Sequence, residues 1–92
     1  MAIDEPRYMP VRFEPDEDFG KLQELVDAVF GRGAVASTID LAMVAETRGC
    51  GPEIMEVVEL MPAGTFPRRA LCNQMNSIVT AHGWGNRLGT VQ

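Results

Sequence analysis

This chain of 92 residues has little with which to hold a metal: it contains two cysteines and one histidine. Cys50, Cys72 and His82 are its only soft ligands, and they lack the close pairs and the fourth ligand that a structural zinc site needs. A metal or other cofactor is therefore not expected. The cysteines form no Cys-x-x-Cys motif and read as reduced thiols. No apolar run approaches the ~20 residues of a membrane span. The start, Met1-Ala2-Ile3-Asp4-Glu5-Pro6, lacks the basic and apolar segments of a secretory signal, so the expected location is cytoplasmic, without a membrane partner. Gly31-Arg32-Gly33 and Gly83-Trp84-Gly85 are too short for phosphate cradles, and no strand is read ahead of either. No internal repeat stands out.

Acidic side chains are also missing from one end. Residues 1–61 carry all 13 carboxylates and a net charge of −8, whereas residues 62–92 carry Arg68, Arg69 and Arg87 and a net +3. A basic, acid-free C-terminal third suits an anionic partner, while the acidic remainder repels nucleic acid. An apolar fraction of 46% and a charged fraction of 23% are those of an ordinary globular chain, and the length suits a single domain.

What is present is helical periodicity. Pro6, Pro10 and Pro15 exclude a helix over residues 1–15, which read as an extended arm with Tyr8, Met9, Val11 and Phe13 able to lie across the domain. Asp16 is placed as an N-cap. Phe19, Leu22, Leu25, Val26, Val29 and Phe30 then give a first helix near 16–30, stopped by Gly31-Arg32-Gly33. Ser37-Thr38-Ile39-Asp40 resembles a capping box and opens a second helix, 38–48. Its apolar residues Ile39, Leu41, Ala42, Met43, Val44 and Ala45 cover almost the whole circumference, which predicts a central, buried helix.

Residues 51–83 form the unit around which the rest is arranged. Pro52 starts a third helix, 52–61, with Ile54, Val57, Val58 and Met61 inward and Glu53, Glu56 and Glu59 outward. A turn over Pro62-Ala63-Gly64-Thr65 leads to a fourth helix, 67–82, whose stripe is Leu71, Met75, Ile78, Val79 and His82. Gly83 suits a left-handed C-cap. The glycines of 84–92 exclude a further helix and predict a loose tail. The expected fold is all-α: a compact bundle of about four helices occupying 16–83, with the N-terminal arm and a glycine-rich C-terminal tail.

Leu41, Ala45, Gly49, Met61-Pro62 and Phe66 resemble the core pattern of a family of short bacterial helical domains of unknown function, Leu-x3-Ala-x3-Gly followed by Leu-Pro-x3-aromatic. The match covers about residues 38–66. Met61 stands where leucine is usual and Gly51 where an acid is usual. What the resemblance implies is a small helical module with no assigned activity.

Three functions fit these residues. The first is a non-enzymatic interaction or regulatory module, binding a protein partner or a second copy through its helical surface. Met55, Leu60 and Trp84 are its candidate contacts, because they widen the apolar coverage beyond the core stripe and flexible thioethers suit adaptable surfaces. The second is a helix-turn-helix reading DNA with Arg68, Arg69, Asn73, Asn76 and Thr80, since Arg and Asn pair with base edges; the three outward glutamates of the preceding helix count against it. The third is a thiol enzyme with Cys50 as nucleophile, His82 as base and Asn73 or Asn76 as orienter. Little room for a cleft makes no small-molecule substrate expected. For His82, a structural role at a helix end is preferred to ligation, since a positive ring suits the dipole there.

Overall fold

The computed structural model describes residues 19–92, so the expected arm and Asp16 lie outside the described residues. The first helix, α1 (Lys21–Val29), buries Leu22, Leu25, Val26 and Val29 and continues into a 3-10 turn at Phe30–Arg32. Its N-cap is Gly20, in the left-handed region at φ 86° with no side-chain cap. A three-residue strand, β1 (Val35–Ser37), leads directly into α2 (Thr38–Thr47). Then come α3 (Pro52–Leu60), β2 (Thr65–Pro67), α4 (Arg68–Ala81) and the short α5 (Gly85–Leu88).

The molecule is mostly helical, as expected, but the helices do not make a plain bundle of four. β1 and β2 pair antiparallel, Val35 with Pro67, Ala36 with Phe66 and Ser37 with Thr65. Thr38 locks this pair: its amide donates to the Gly64 carbonyl at 2.9 Å and its hydroxyl accepts from the Gly64 amide at 3.1 Å. Three residues are too few to display period-two alternation, which is why the ladder left no pattern to read.

The capping box forms as expected. The Asp40 amide donates to Ser37 Oγ at 2.9 Å, and the Ser37 amide to Asp40 Oδ2 at 3.2 Å. The expectation that α2 is buried on all sides is wrong. Leu41 and Ala45 are fully buried, but Ile39 is 71% and Met43 61% exposed. A circumference that is apolar on almost every side has little phase, so it cannot tell which side faces the core.

The α3 stripe is as read, with Ile54, Val57, Val58 and the following Met61 buried. In α4 the buried residues are Leu71, Cys72, Met75 and Val79. Ile78 is half-buried and His82 is exposed, so the inward stripe is rotated toward Cys72 and ends before the histidine. Both long helices close on a left-handed glycine, Gly49 (φ 67°) after α2 and Gly83 (φ 71°) after α4. In each case the next amide reaches back, Cys50 to the Ala45 carbonyl at 3.1 Å and Trp84 to the Val79 carbonyl at 2.9 Å, and satisfies a terminal acceptor.

The expected loose tail is instead packed. Leu88 and Val91 are buried in the core. Asn76 clamps Val91 with both ends of its amide, donating to the carbonyl at 2.9 Å and accepting from the amide at 2.7 Å. Gln23 of α1 holds Gln92 the same way, at 2.8 and 2.9 Å. Burial of two aliphatic side chains, about 1.5–3 kcal/mol each, outweighs the backbone freedom that the tail's glycines give up.

The element order therefore repeats in kind, β1-α2-α3 followed by β2-α4-α5. A shift of 30 residues in the sequence carries β1 onto β2 and the start of α2 onto the start of α4. Leu41 then matches Leu71 and Ala45 matches Met75, all four fully buried. The sequence shows this poorly because only the inward positions agree in character.

Candidate functional site

The largest apolar exposure lies on the first of these units. Val35 of β1, 57% exposed, precedes Ile39 and Met43 at intervals of four, so the last two share one side of α2. Beside them runs an open groove of ≈ 560 Å³ between α1 and α2, bordered by Ala28, Val29, Val44 and Thr47 among others. Arg48 borders the groove too, and its guanidinium meets Glu24 of α1 at 3.3 Å. Asp40 and Glu46 are exposed, and at 100° per residue they flank the Ile39–Met43 line on its two sides. The result is an apolar strip with a charged rim of both signs, Asp40 and Glu46 with Arg48.

The comparison of α2 with α4 shows that a helix following its strand in this fold does not require such a strip. Thirty residues on, the positions matching Val35, Ile39 and Met43 are Thr65, Arg69 and Asn73, all exposed and all polar. The two helices follow their strands alike and bury the matching positions 41/71 and 45/75, yet carry opposite outward residues. Packing explains the first similarity and leaves the second difference unexplained.

The residues proposed from sequence for a partner surface fare unequally. Leu60 is 44% exposed. Met55 and Trp84 are half-buried against the core, and Trp84 also stacks on His82, ring centroids 4.6 Å apart. Ile39, Met43 and Val35 were missed, and the only signal that could have found them is the polar character of the matching positions in the second unit.

The residues of the DNA-reading alternative divide as well. Arg69, Asn73 and Thr80 are exposed on α4. Asn76 is occupied by Val91, and Arg68 binds Asp27, donates to the Gln92 carbonyl at 2.9 Å and lies over the Phe30 ring at 5.8 Å. Hydrogen bonds from Arg68 and then Gln23 hold the Asp27 carboxyl below its ordinary range. The segment between α3 and α4, residues 61–67, contains β2 and so is not a compact helix-turn-helix turn.

Cys50 is half-buried and borders a small cleft with Lys21, Glu24 and Arg48. His82 does not border that cleft; its ring faces Trp84 instead. Cys72 is buried, and burial pushes its thiol up, which opposes thiolate chemistry. Among the described residues no group of three His, Cys, Asp or Glu side chains could hold a metal ion. No described helix is long and apolar enough to cross a membrane. No family of known proteins, no curated protein and no solved structure matches the chain.

Proposed function

We propose that the chain is a small non-enzymatic interaction module that binds a protein partner on the α1–α2 face, through Val35, Ile39 and Met43. The observation that carries this is the contrast at matching positions: 71% exposed Ile39 and 61% exposed Met43 stand where the second unit has Arg69 and Asn73. Exposed large apolar side chains clustered beside a groove and rimmed by charge mark protein-binding surfaces. The partial resemblance to a family of small bacterial helical modules is compatible with this reading and adds no activity to it.

The direct test writes the second unit's surface onto the first. The Ile39→Arg/Met43→Asn chain should keep the wild-type melting profile to within about 0.5 kcal/mol, because both positions are exposed. Captured partners or self-association seen with the wild type should be lost in this variant and retained in Leu60→Arg. Binding unaffected by Ile39→Arg/Met43→Asn overturns the reading. Retention of a random-sequence duplex at low salt that is lost in Arg69→Ala/Asn73→Ala would transfer the function to the α4 face and to nucleic acid.

A further inference from the structure

We propose that the seat of residues 90–92, between Gln23 of α1 and Asn76 of α4, is a peptide-binding site in which the chain's own tail competes with an extended segment of a partner, one that carries an aliphatic residue followed by an acid. The site shares no residue with the Ile39–Met43 strip and does not depend on the reading of that face. Its first support is the way the tail is held. Among the described residues, the main chain of residues 90–92 makes no hydrogen bond to other main chain. Asn76 takes both polar groups of Val91, donating at 2.9 Å and accepting at 2.7 Å. Gln23 takes both of Gln92, at 2.8 and 2.9 Å, and Arg68 donates to the same carbonyl from Nε at 3.2 Å and from Nη2 at 2.9 Å. A residue that gives its N–H and its C=O to one neighbour is what a strand presents in an antiparallel ladder. Two side-chain amides here stand in for the neighbouring strand, and they grip backbone that any extended segment possesses.

The second support is selectivity at one position. Val91 is 6% exposed and belongs to the core, whereas Thr90 and Gln92 on either side of it are exposed. Side chains that alternate in this way are those of an extended chain with one face buried. The seat therefore asks for an aliphatic residue at the place of Val91 and for little else.

The third support is a charge that the tail leaves unused. Arg69 and Gln92 border one open space of ≈ 420 Å³, together with Cys72 and Asn73. Arg68 is already matched by Asp27, while Arg69 is exposed and has no ion pair among the described residues. Residues 62–92 contain no carboxylate, so the tail has nothing to offer this cation. An acid at the place of Gln92 adds a charge-assisted contact that the tail lacks. Such a contact is what a free segment needs in order to compete with a tethered one, whose effective concentration is of millimolar order.

The experiment follows the side-chain amide signals of Gln23 and Asn76 by NMR in the full chain. In the Val91→Asp chain, where a carboxylate cannot stay in the core, both signals should move away from their wild-type positions. A peptide of residues 89–92 with both ends blocked should return them, and its Gln92→Glu form should do so at lower concentration in low salt. The wild type should need roughly tenfold more of either peptide, or more, because its own tail fills the seat. Adding Arg69→Ala should erase the advantage of the acidic peptide. Equal affinity of the wild type and the Val91→Asp chain overturns the proposal, as does a cooperatively melting Val91→Asp chain that ignores both peptides. Equal affinity of the two peptides overturns the choice of an acid. Should Val91→Asp fail to fold, hydrogen exchange of the wild type decides. The Val91 amide should then exchange roughly tenfold faster than those of Leu71 and Met75, or more, through an opening confined to the tail. Equal protection means that the tail leaves only when the whole chain unfolds, and overturns the proposal.

Discussion

The β1-α2-α3 and β2-α4-α5 units solve the same inward problem and differ in what they do beyond it. Each runs from a three-residue strand straight into a helix, buries a leucine four residues after the cap and another residue four later, and ends its helix on a left-handed glycine. α4 is longer than α2, 14 residues against 10, which is one extra turn. The following helix is shorter, four residues in α5 against nine in α3. The second unit makes up for its shorter final helix with Leu88, Val91 and the side-chain clamps that hold the tail. The difference teaches that the inward positions are dictated by packing, whereas the outward ones are free to carry function. On the first unit that freedom is used for an apolar strip, on the second for Arg69 and Asn73.

If the inward positions are equivalent, breaking them should cost alike. Leu41→Ala and Leu71→Ala each empty a fully buried site, and each should lower the free energy of unfolding by about 2–5 kcal/mol. Urea titration of both variants checks this. A loss confined to one of them would mean that only one unit carries the core, and would break the comparison at its base.

Much of this inward structure is legible in the residues themselves. The Ser37–Asp40 box, Pro52, the stripe of α3 and the closing glycines each announce a local rule that the fold then obeys. Three features were not legible, and for separate physical reasons. The strands are too short to alternate. The side on which Ile39 and Met43 face solvent is hidden because apolar residues fall on almost every side of α2. The tail is ordered by partners far away in the chain, Gln23 to Gln92 and Asn76 to Val91, and no local pattern reports such contacts. For the candidate site, the residues that sequence reasoning chose were chosen for chemical type, and Met55 and Trp84 prove half-buried against the core.

The clamps separate the two units more finely. Asn76 is the counterpart of Glu46 under the same shift, yet one is part-buried and bonded to both polar groups of Val91 and the other is exposed. Asn76→Ala leaves a backbone donor and acceptor without their partner and should cost about 1–3 kcal/mol. Glu46→Ala should change stability by no more than about 0.5 kcal/mol. Hydrogen exchange of the Val91 amide gives the sharper reading: its protection should fall in the first variant and hold in the second. Equal protection in both would mean that burial of Leu88 and Val91 keeps the tail in place without the clamp.

The smallest effect concerns the first residue of each long helix. Thr38 ties α2 to Gly64 through neutral hydrogen bonds, whereas Arg68 ties α4 to the Asp27 carboxylate of α1. Only the second tie is titratable. Hydrogen bonding to Arg68, then to Gln23, lowers the Asp27 pKa in the folded state. A carboxyl depressed on folding contributes stability that is fully present above its unfolded pKa, near 3.8, and is lost as the pH falls through the folded value. Asp27 is exposed, as is much of Arg68, so solvent and salt screen the pair and the contribution is small. In Asp27→Asn the part of the acid limb due to this pair should disappear: melting temperature should fall less steeply below about pH 4 than in the wild type, with the two curves parallel at neutral pH. Thr38→Ala should weaken the strand pair by a similar amount at every pH. If Asp27→Asn leaves the acid limb unchanged, the Arg68 tie acts as a neutral contact does, and the two units hold their helix starts by the same means.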